Sequence, residues 1–522
     1  MNNKKTKNKK NSKKVIYHGF SDQNRCLIVD KLYDQYNWNP IMMLGLDGES
    51  NQMKNWSNKF ISLVLLDTMK LRTADFDYSY VGEYIPIDRE IIDKLSKYEL
   101  NYIDNLDDLS GWEFSFNERR DFYHSMLKYM NTILYNFQPE LLVFATWPHT
   151  PTCLALYYLS KHHFNIDVIF LDAMPLFDSR YHFVGNSIEE LHFPFMESYE
   201  STNELTLDSG VSKYLEDLRS VDGKTTGHII QDYVDSKRYP FSLLKQFLLM
   251  TIKVLTNNVS EYEKLIERKK NRKSFHLKSS RLGKFEYLFF KMGLILKTKS
   301  LSRFYKSLCS RVDLNQKYIY FAANYQPEAT TLTMAGAFED TSLVLDMLSK
   351  YAPKGWVIYY KEHPYTFAHT SLSTVTKRSK TFYKKLANYH NVELISSDEK
   401  SFQLMSESQA VASIAGTSPW EAAVRGVPSM CFGNVWYKGC KSIFSINSSQ
   451  DMQDAFKDIS NGYKPDSIDV DRYAASVAHA SVKGMIHERF EKNLGLSLNK
   501  EEEIDRIAVA IYDAHNKLNR IK

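Results

Sequence analysis

Five short apolar runs recur after residue 316: Lys317–Ala322, Trp356–Tyr360, Val392–Ile395, Ala410–Ile414 and Ser429–Phe432. Stretches of helical spacing separate them, over Thr341–Lys350, Phe382–Tyr389, Ser401–Ser408 and Pro419–Arg425. Runs this short and this uniformly apolar do not alternate as a strand with one wet face would. They read as strands covered on both sides, which is the condition of a parallel sheet wrapped by its crossover helices.

The first half repeats the pattern less regularly. Val15–Phe20, Pro40–Leu46, Leu141–Thr146 and Asp167–Leu171 read as strands. The turn Ser21–Asn24 leads into a helix through Leu32, and Glu118–Phe137 and Thr152–Lys161 are helical by spacing. Asn51–Lys59 and Tyr98–Gly111 read as polar insertions. A chain of 522 residues with 43% hydrophobic content is large enough for two such cores. The fold class expected is therefore α/β, with two Rossmann-like doubly wound domains facing a cleft. The division expected is a basic tail over 1–14, a first domain over 15–211, a helical basic segment over 212–312, a second domain over 313–470 and closing helices over 471–522.

Net charge is only +5, but it is unevenly spread. The first fourteen residues carry seven Lys and no acid, and have no apolar core of the kind a signal peptide needs. Residues 264–311 hold fifteen Lys or Arg against Glu267 and Glu286, interleaved with Phe and Leu. That composition suits a solvated linker or a surface that docks on an anionic membrane leaflet. Nothing else in the chain resembles a nucleic-acid module. Cys26, Cys153, Cys309, Cys431 and Cys440 are scattered, which argues against a zinc site or a disulfide framework. No apolar run reaches the ~18 residues of a membrane span. The expected setting is cytoplasmic, with peripheral contact at the inner membrane.

In open parallel sheets, ligands bind beyond the carboxyl ends of the strands. Three polar clusters in the second half fall there. Lys361-Glu362-His363-Pro364 follows WVIYY, and a histidine there can donate to a phosphate oxygen. Gly416-Thr417-Ser418-Pro419 follows AVASI, with Ser418 at the N-cap, Pro419 at the first helical position and Glu421 completing a capping box. Gly416 allows close approach of an anionic ligand to that helix start. Asn324 to Thr330 follows KYIYFA and contributes Gln326 and Glu328, the latter a candidate base or nucleophile. In the first half, His149 follows LLVFAT and is a candidate base, while Arg180 is placed to hold an acidic sugar.

The runs YFAANYQPEATT, GWVIYYKEHP and SFQLMSESQAVASIAGTSPWEAAVRGVPSMCFGNVWY resemble bacterial capsular-polysaccharide biosynthesis proteins, which are similar to the Kdo transferases of capsule assembly. The resemblance covers about 316–446, with WPHTP similar to that family's first domain. It implies a GT-B glycosyltransferase in capsule or other surface polysaccharide synthesis, with the second domain holding a nucleotide-sugar, CMP-linked by analogy. It implies that His363-Pro364 and Thr417-Ser418 contact the nucleotide phosphate, that Glu328 is the nucleophilic carboxylate, and that Glu421 supports the ribose or the helix start. Lys361 is expected to assist His363, and Gln326, His149 and Arg180 to meet the sugar or a glycan or lipid-linked acceptor. No cofactor or metal is expected, since no Asp-x-Asp stands where it would hold one. The competing readings are a CDP-alditol phosphotransferase of the teichoic-acid polymerase kind, a sugar-nucleotide 2-epimerase, and a non-catalytic partner in capsule assembly or export.

Overall fold

The structure is a computed structural model. It describes residues 12–20, 23–44, 61–63, 78, 81–110, 116–174, 181–201, 207–220, 248, 251–252, 284–326, 329–368, 377–484 and 500–521. The first sheet begins with β1 (Lys13–His18), β2 (Trp38–Leu44), β3 (Ile61–Leu63), β4 (Leu141–Phe144), β5 (Asp167–Met174) and β6 (Tyr181–Gly185). The first five run parallel in the order β3-β2-β1-β4-β5, and β6 adds antiparallel to β5. The pairing of β1 with β2 slips one residue at Val15/Ile16, opposite Pro40. Proline has no N–H for the ladder, and a local irregularity is the usual accommodation.

The second sheet comprises β7 (Tyr318–Ala322), β8 (Val357–Lys361), β9 (Val392–Ile395), β10 (Ala410–Ser413), β11 (Ser429–Cys431) and β12 (Phe444–Ser445). All are parallel, in the order β9-β8-β7-β10-β11-β12. That is the order of dinucleotide-binding sheets, and its direction reverses between β7 and β10. The first sheet reverses in the same way between β1 and β4. The α/β class with two Rossmann-like sheets is thus observed.

Each face of the second sheet has its own core. Ile319, Phe321, Ile358, Tyr360 and Leu394 pack on one side, and Tyr318, Tyr320, Tyr359, Ile395 and Val411 on the other. Full burial of each such side chain stabilises by roughly 1.5–3 kcal/mol. The helix Lys284–Leu308 contributes Leu301 and Tyr305 to the first of these cores. A larger cluster joins the two halves: Trp147, Leu154 and Phe195 pack with Trp420, Tyr437 and Tyr473.

One sequence expectation is corrected. Tyr98–Gly111 is not an irregular insertion, because Arg89–Ser110 is one helix. Ile91, Leu95 and Tyr102 lie on one buried stripe at helical spacing, and the charges between them face outward. The chain also closes on its own beginning. A short β13 (Val482–Lys483) pairs antiparallel with β6. The helix Lys500–Ile521 lays Ile504, Ile507 and Ile511 against the core around Val29 and Leu32, and Tyr512 stacks on Tyr36 at 3.8 Å.

Candidate active site

At the reversal point of the second sheet, Asn324 follows β7 and is buried. Its Oδ1 accepts from Ser413 Oγ at 3.1 Å and from the N–H groups of Ile414 and Ala415 at 3.2 and 3.3 Å. It ties the end of β7 to the end of β10. A Cβ on Gly416 would lie 2.9 Å from Ser413 Oγ and 3.2 Å from Asn324 Nδ2, so glycine is the residue that lets these chains meet. The Tyr437 hydroxyl donates to the Gly416 carbonyl from below. Ala415 to Ser418 are half-buried between buried neighbours, which leaves this stretch open to a ligand.

The expected capping box is not formed. The helix is Ser418–Val424, with Thr417 at the N-cap in a helical conformation (φ −79°, ψ −13°) and no side-chain cap. Ser418 is therefore the first helical residue. The Thr417 hydroxyl donates to Glu421 Oε1 at 2.9 Å. Burial raises the Glu421 carboxyl above its ordinary value, against the Thr417 hydrogen bond and the charge of Arg425.

The turn after β8 is held by a buried ion pair that the sequence reading did not single out. Glu362 is fully buried, and its Oε2 accepts from Arg378 Nε at 2.8 Å, Tyr383 at 2.8 Å and Tyr360 at 3.0 Å. Its Oε1 accepts from the His363 N–H at 2.9 Å and from Thr366 at 3.2 Å. Burial pushes this carboxyl up, but the Arg378 charge and these donors outweigh it and hold it below the ordinary range. Arg378 also reaches the loop after β7, donating to the Asn324 carbonyl at 3.3 Å and to the Gln326 side chain. Gln326 donates in turn to the Glu339 carbonyl at 2.7 Å. Both ends of the Gln326 amide are engaged in the fold.

His363 sits on this frame and stacks on Tyr365, with ring centroids 5.5 Å apart. Its Nδ1 accepts from the Tyr365 N–H at 3.2 Å, so in the neutral ring Nε2 carries the proton. Burial lowers its pKa to about 4, with Lys361 and Arg378 adding and Glu362 opposing. His363 is therefore a neutral Nε2–H donor at physiological pH. Pro364 follows it, half-buried, ahead of the short helix Tyr365–Ala368. Lys361, whose charge is felt at His363, is tied to a partner of its own. It lies on the opposite face of β8, buried, and donates to Ser401 Oγ at 2.6 Å, with its pKa lowered to about 8 by burial against Glu399 and Asp398.

The first sheet's reversal point carries His18 at the end of β1 and His149 just beyond β4. His149 Nδ1 is 2.7 Å from the Trp147 carbonyl, so Nδ1 holds the proton and Nε2 is left as an acceptor. Burial lowers its pKa, against that hydrogen bond. His18 is lowered to about 4 by burial, with His149 and Arg25 adding. His18 was legible in principle, as a histidine closing the first parallel strand. Glu328 and Arg180 lie outside the described residues.

These features define a two-sheet Rossmann-like α/β protein whose reversal points carry polar, hydrogen-bond-poised residues. Residues 313–441 match the family described as capsule polysaccharide biosynthesis protein, so the resemblance read from KEHP, GTSPWEA and their neighbours holds over that span. No curated protein matches the chain. Among solved structures, it is similar to the KpsC β-Kdo 2,7 transferase of Thermosulfurimonas dismutans, at 10% identity and TM-score 0.31, covering 73% of this chain and 88% of that one. It is also similar to the UDP-GlcNAc 2-epimerase of Methanocaldococcus jannaschii, at 11% identity and TM-score 0.23, covering 90% and 99%. At TM-scores below 0.5 neither likeness supports a conclusion about this chain.

Proposed function

We propose that the chain is a glycosyltransferase of capsule or other surface polysaccharide synthesis that takes its sugar from a nucleotide-linked donor, CMP-linked by analogy with capsule Kdo transferases. The observation that carries this reading is the pair of histidines in opposite tautomers at the two reversal points. The donor phosphate lies along Gly416-Thr417-Ser418, and His363 Nε2–H donates to it. An uncharged donor in a dry site stabilises charge as it develops on the leaving phosphate. The acceptor hydroxyl oxygen bonds to the anomeric carbon, and the carbon–oxygen bond to phosphate breaks with its electron pair leaving on the nucleotide. The hydroxyl proton passes to His149 Nε2. Glu328 is assigned as the carboxylate that acts at the anomeric carbon, and Arg180 as a contact for an acidic sugar. The basic segment is assigned to an anionic membrane surface, which the exposed Phe289 and Leu296 on the helix Lys284–Leu308 support. Among the described residues, no helix is long and apolar enough to cross a membrane.

Calorimetry with CMP, UMP, GMP and UDP tests the reading on wild type and His363→Ala. Binding of CMP that weakens by about tenfold in the variant is expected for one lost charge-assisted hydrogen bond. Preference for UDP overturns the CMP assignment, and binding of no nucleotide overturns the transferase.

A further inference from the structure

A cavity of about 590 Å³ lies between the two halves of the molecule, outside the residues assigned above except for Gln326. One wall comes from the helix Arg89–Ser110, through Tyr98, Asn101 and Asp104, with Tyr158 behind. The opposite wall comes from Ala337, Glu339, Lys377 and Arg378. Its size is that of a small-molecule site.

Three features describe its ligand. Tyr98 is half-buried and rests one face on Tyr158, with centroids 4.2 Å apart and planes at 14°, so the ring is fixed in orientation. Leu100 on the same helix is 66% exposed at the cavity wall. Asp104 from the first half and Glu339 from the second meet around Lys377 Nζ, at 2.9 and 3.3 Å. Two of the three cations at the wall are matched within the protein, Lys377 by these two carboxylates and Arg378 by Glu362, and the third, Lys97, rests its ammonium over the Tyr98 ring at 4.7 Å. No demand for a ligand carboxylate or phosphate is left by that pair. Burial raises the Glu339 carboxyl, with Lys377 opposing and Asp104 adding. A fixed ring beside paired carboxyl groups suits a hydroxyl-rich, uncharged ring. The cavity also adjoins the assigned donor site, because Arg378 and Gln326 line it while Arg378 braces Glu362 behind His363.

We infer that this cavity is the acceptor subsite and takes a neutral sugar residue of the acceptor glycan, with Tyr98 as its platform and Asp104, Glu339 and Lys377 as its hydroxyl contacts. The inference rests on the transferase reading above.

Saturation-transfer NMR tests it, with methyl β-galactoside and methyl β-N-acetylglucosaminide as neutral probes and methyl β-glucuronide as the anionic one. CMP affinity is measured in parallel. Ala337→Trp fills the cavity from an exposed position and so leaves the cores alone, and Tyr98→Ala removes the platform. A neutral probe is expected to bind wild type and to weaken by about fivefold to tenfold in both variants, the scale of one aromatic contact. CMP affinity is expected to stay unchanged. Neutral-probe binding that survives Ala337→Trp, no neutral-probe binding by wild type, or preference for the glucuronide overturns the inference while leaving the transferase standing. A neutral probe lost in Ala337→Trp by a protein that binds no nucleotide keeps the sugar site and overturns the transferase instead.

Discussion

The two sheets reverse direction at equivalent places, β1/β4 and β7/β10, and each presents a histidine there, yet the two histidines are built for opposite tasks. His149 gives its Nδ1 proton to a backbone carbonyl and keeps Nε2 as an acceptor, while His363 receives at Nδ1 and keeps Nε2–H as a donor. The residue type is the same, and the partner at Nδ1 decides the chemistry. The surroundings differ as well. The second reversal point is braced by a buried ion pair, Glu362–Arg378 at 2.8 Å, whereas at the first Arg25 donates to the Gly19 carbonyl at 2.9 Å. One site is held by charge matched inside the fold, the other by backbone.

Removing the arginines separates them most. Arg378→Met leaves Glu362 buried and unmatched, and is expected to cost roughly 3–5 kcal/mol in urea unfolding. Arg25→Met is expected to cost about 1–2 kcal/mol. Equal costs would erase the distinction between the two braces. Glycine replacement comes next. Gly19 has φ +80°, so Gly19→Ala is expected to lose about 1–2 kcal/mol, read as a lower Tm. Gly416→Ala sets a Cβ 2.9 Å from the buried, hydrogen-bonded Ser413 Oγ, a side-chain clash rather than backbone strain, and is expected to weaken nucleotide binding where Gly19→Ala does not. Nucleotide binding untouched by Gly416→Ala would remove this loop from the donor site.

Acid unfolding gives a smaller effect. His18 and His363 titrate near 4 in the fold, against 6.5 ordinarily. Between those values the unfolded chain binds more protons, so stability present above about 6.5 is lost as pH falls toward 4. His18→Gln or His363→Gln is expected to flatten that loss, and an unchanged slope would mean the rings are charged in the fold. Nitrogen NMR shift measurements, with no stability change at all, resolve the tautomers directly. Protons found on the same nitrogen in both rings would break the comparison.

The second sheet was legible because its strands are short, wholly apolar and punctuated, and the motif loops sit at their ends. The helix start at residue 418 was legible in place but not in detail, since Thr417 turns its hydroxyl to Glu421 and thereby removes the expected cap. Strand alternation carried a signal that motif reading passed over: Tyr360 faces the side of β8 on which its hydroxyl meets Glu362, which sends Lys361 to the other. Arg378 had no local signal, because its partners at 324, 326 and 362 are brought to it only by the sheet order. The helix over 89–110 was obscured by its dense charges, though Ile91, Leu95 and Tyr102 keep the helical interval.

The return of β13 and of the helix Lys500–Ile521 to the first sheet has a consequence for how this protein is made. The surface formed by Val29, Leu32 and Tyr36 emerges from the ribosome long before the helix Lys500–Ile521 that covers it. At about 5–20 residues per second that surface waits tens of seconds for its cover. The nascent first domain is therefore an open shell until that helix arrives, exposed to holding chaperones.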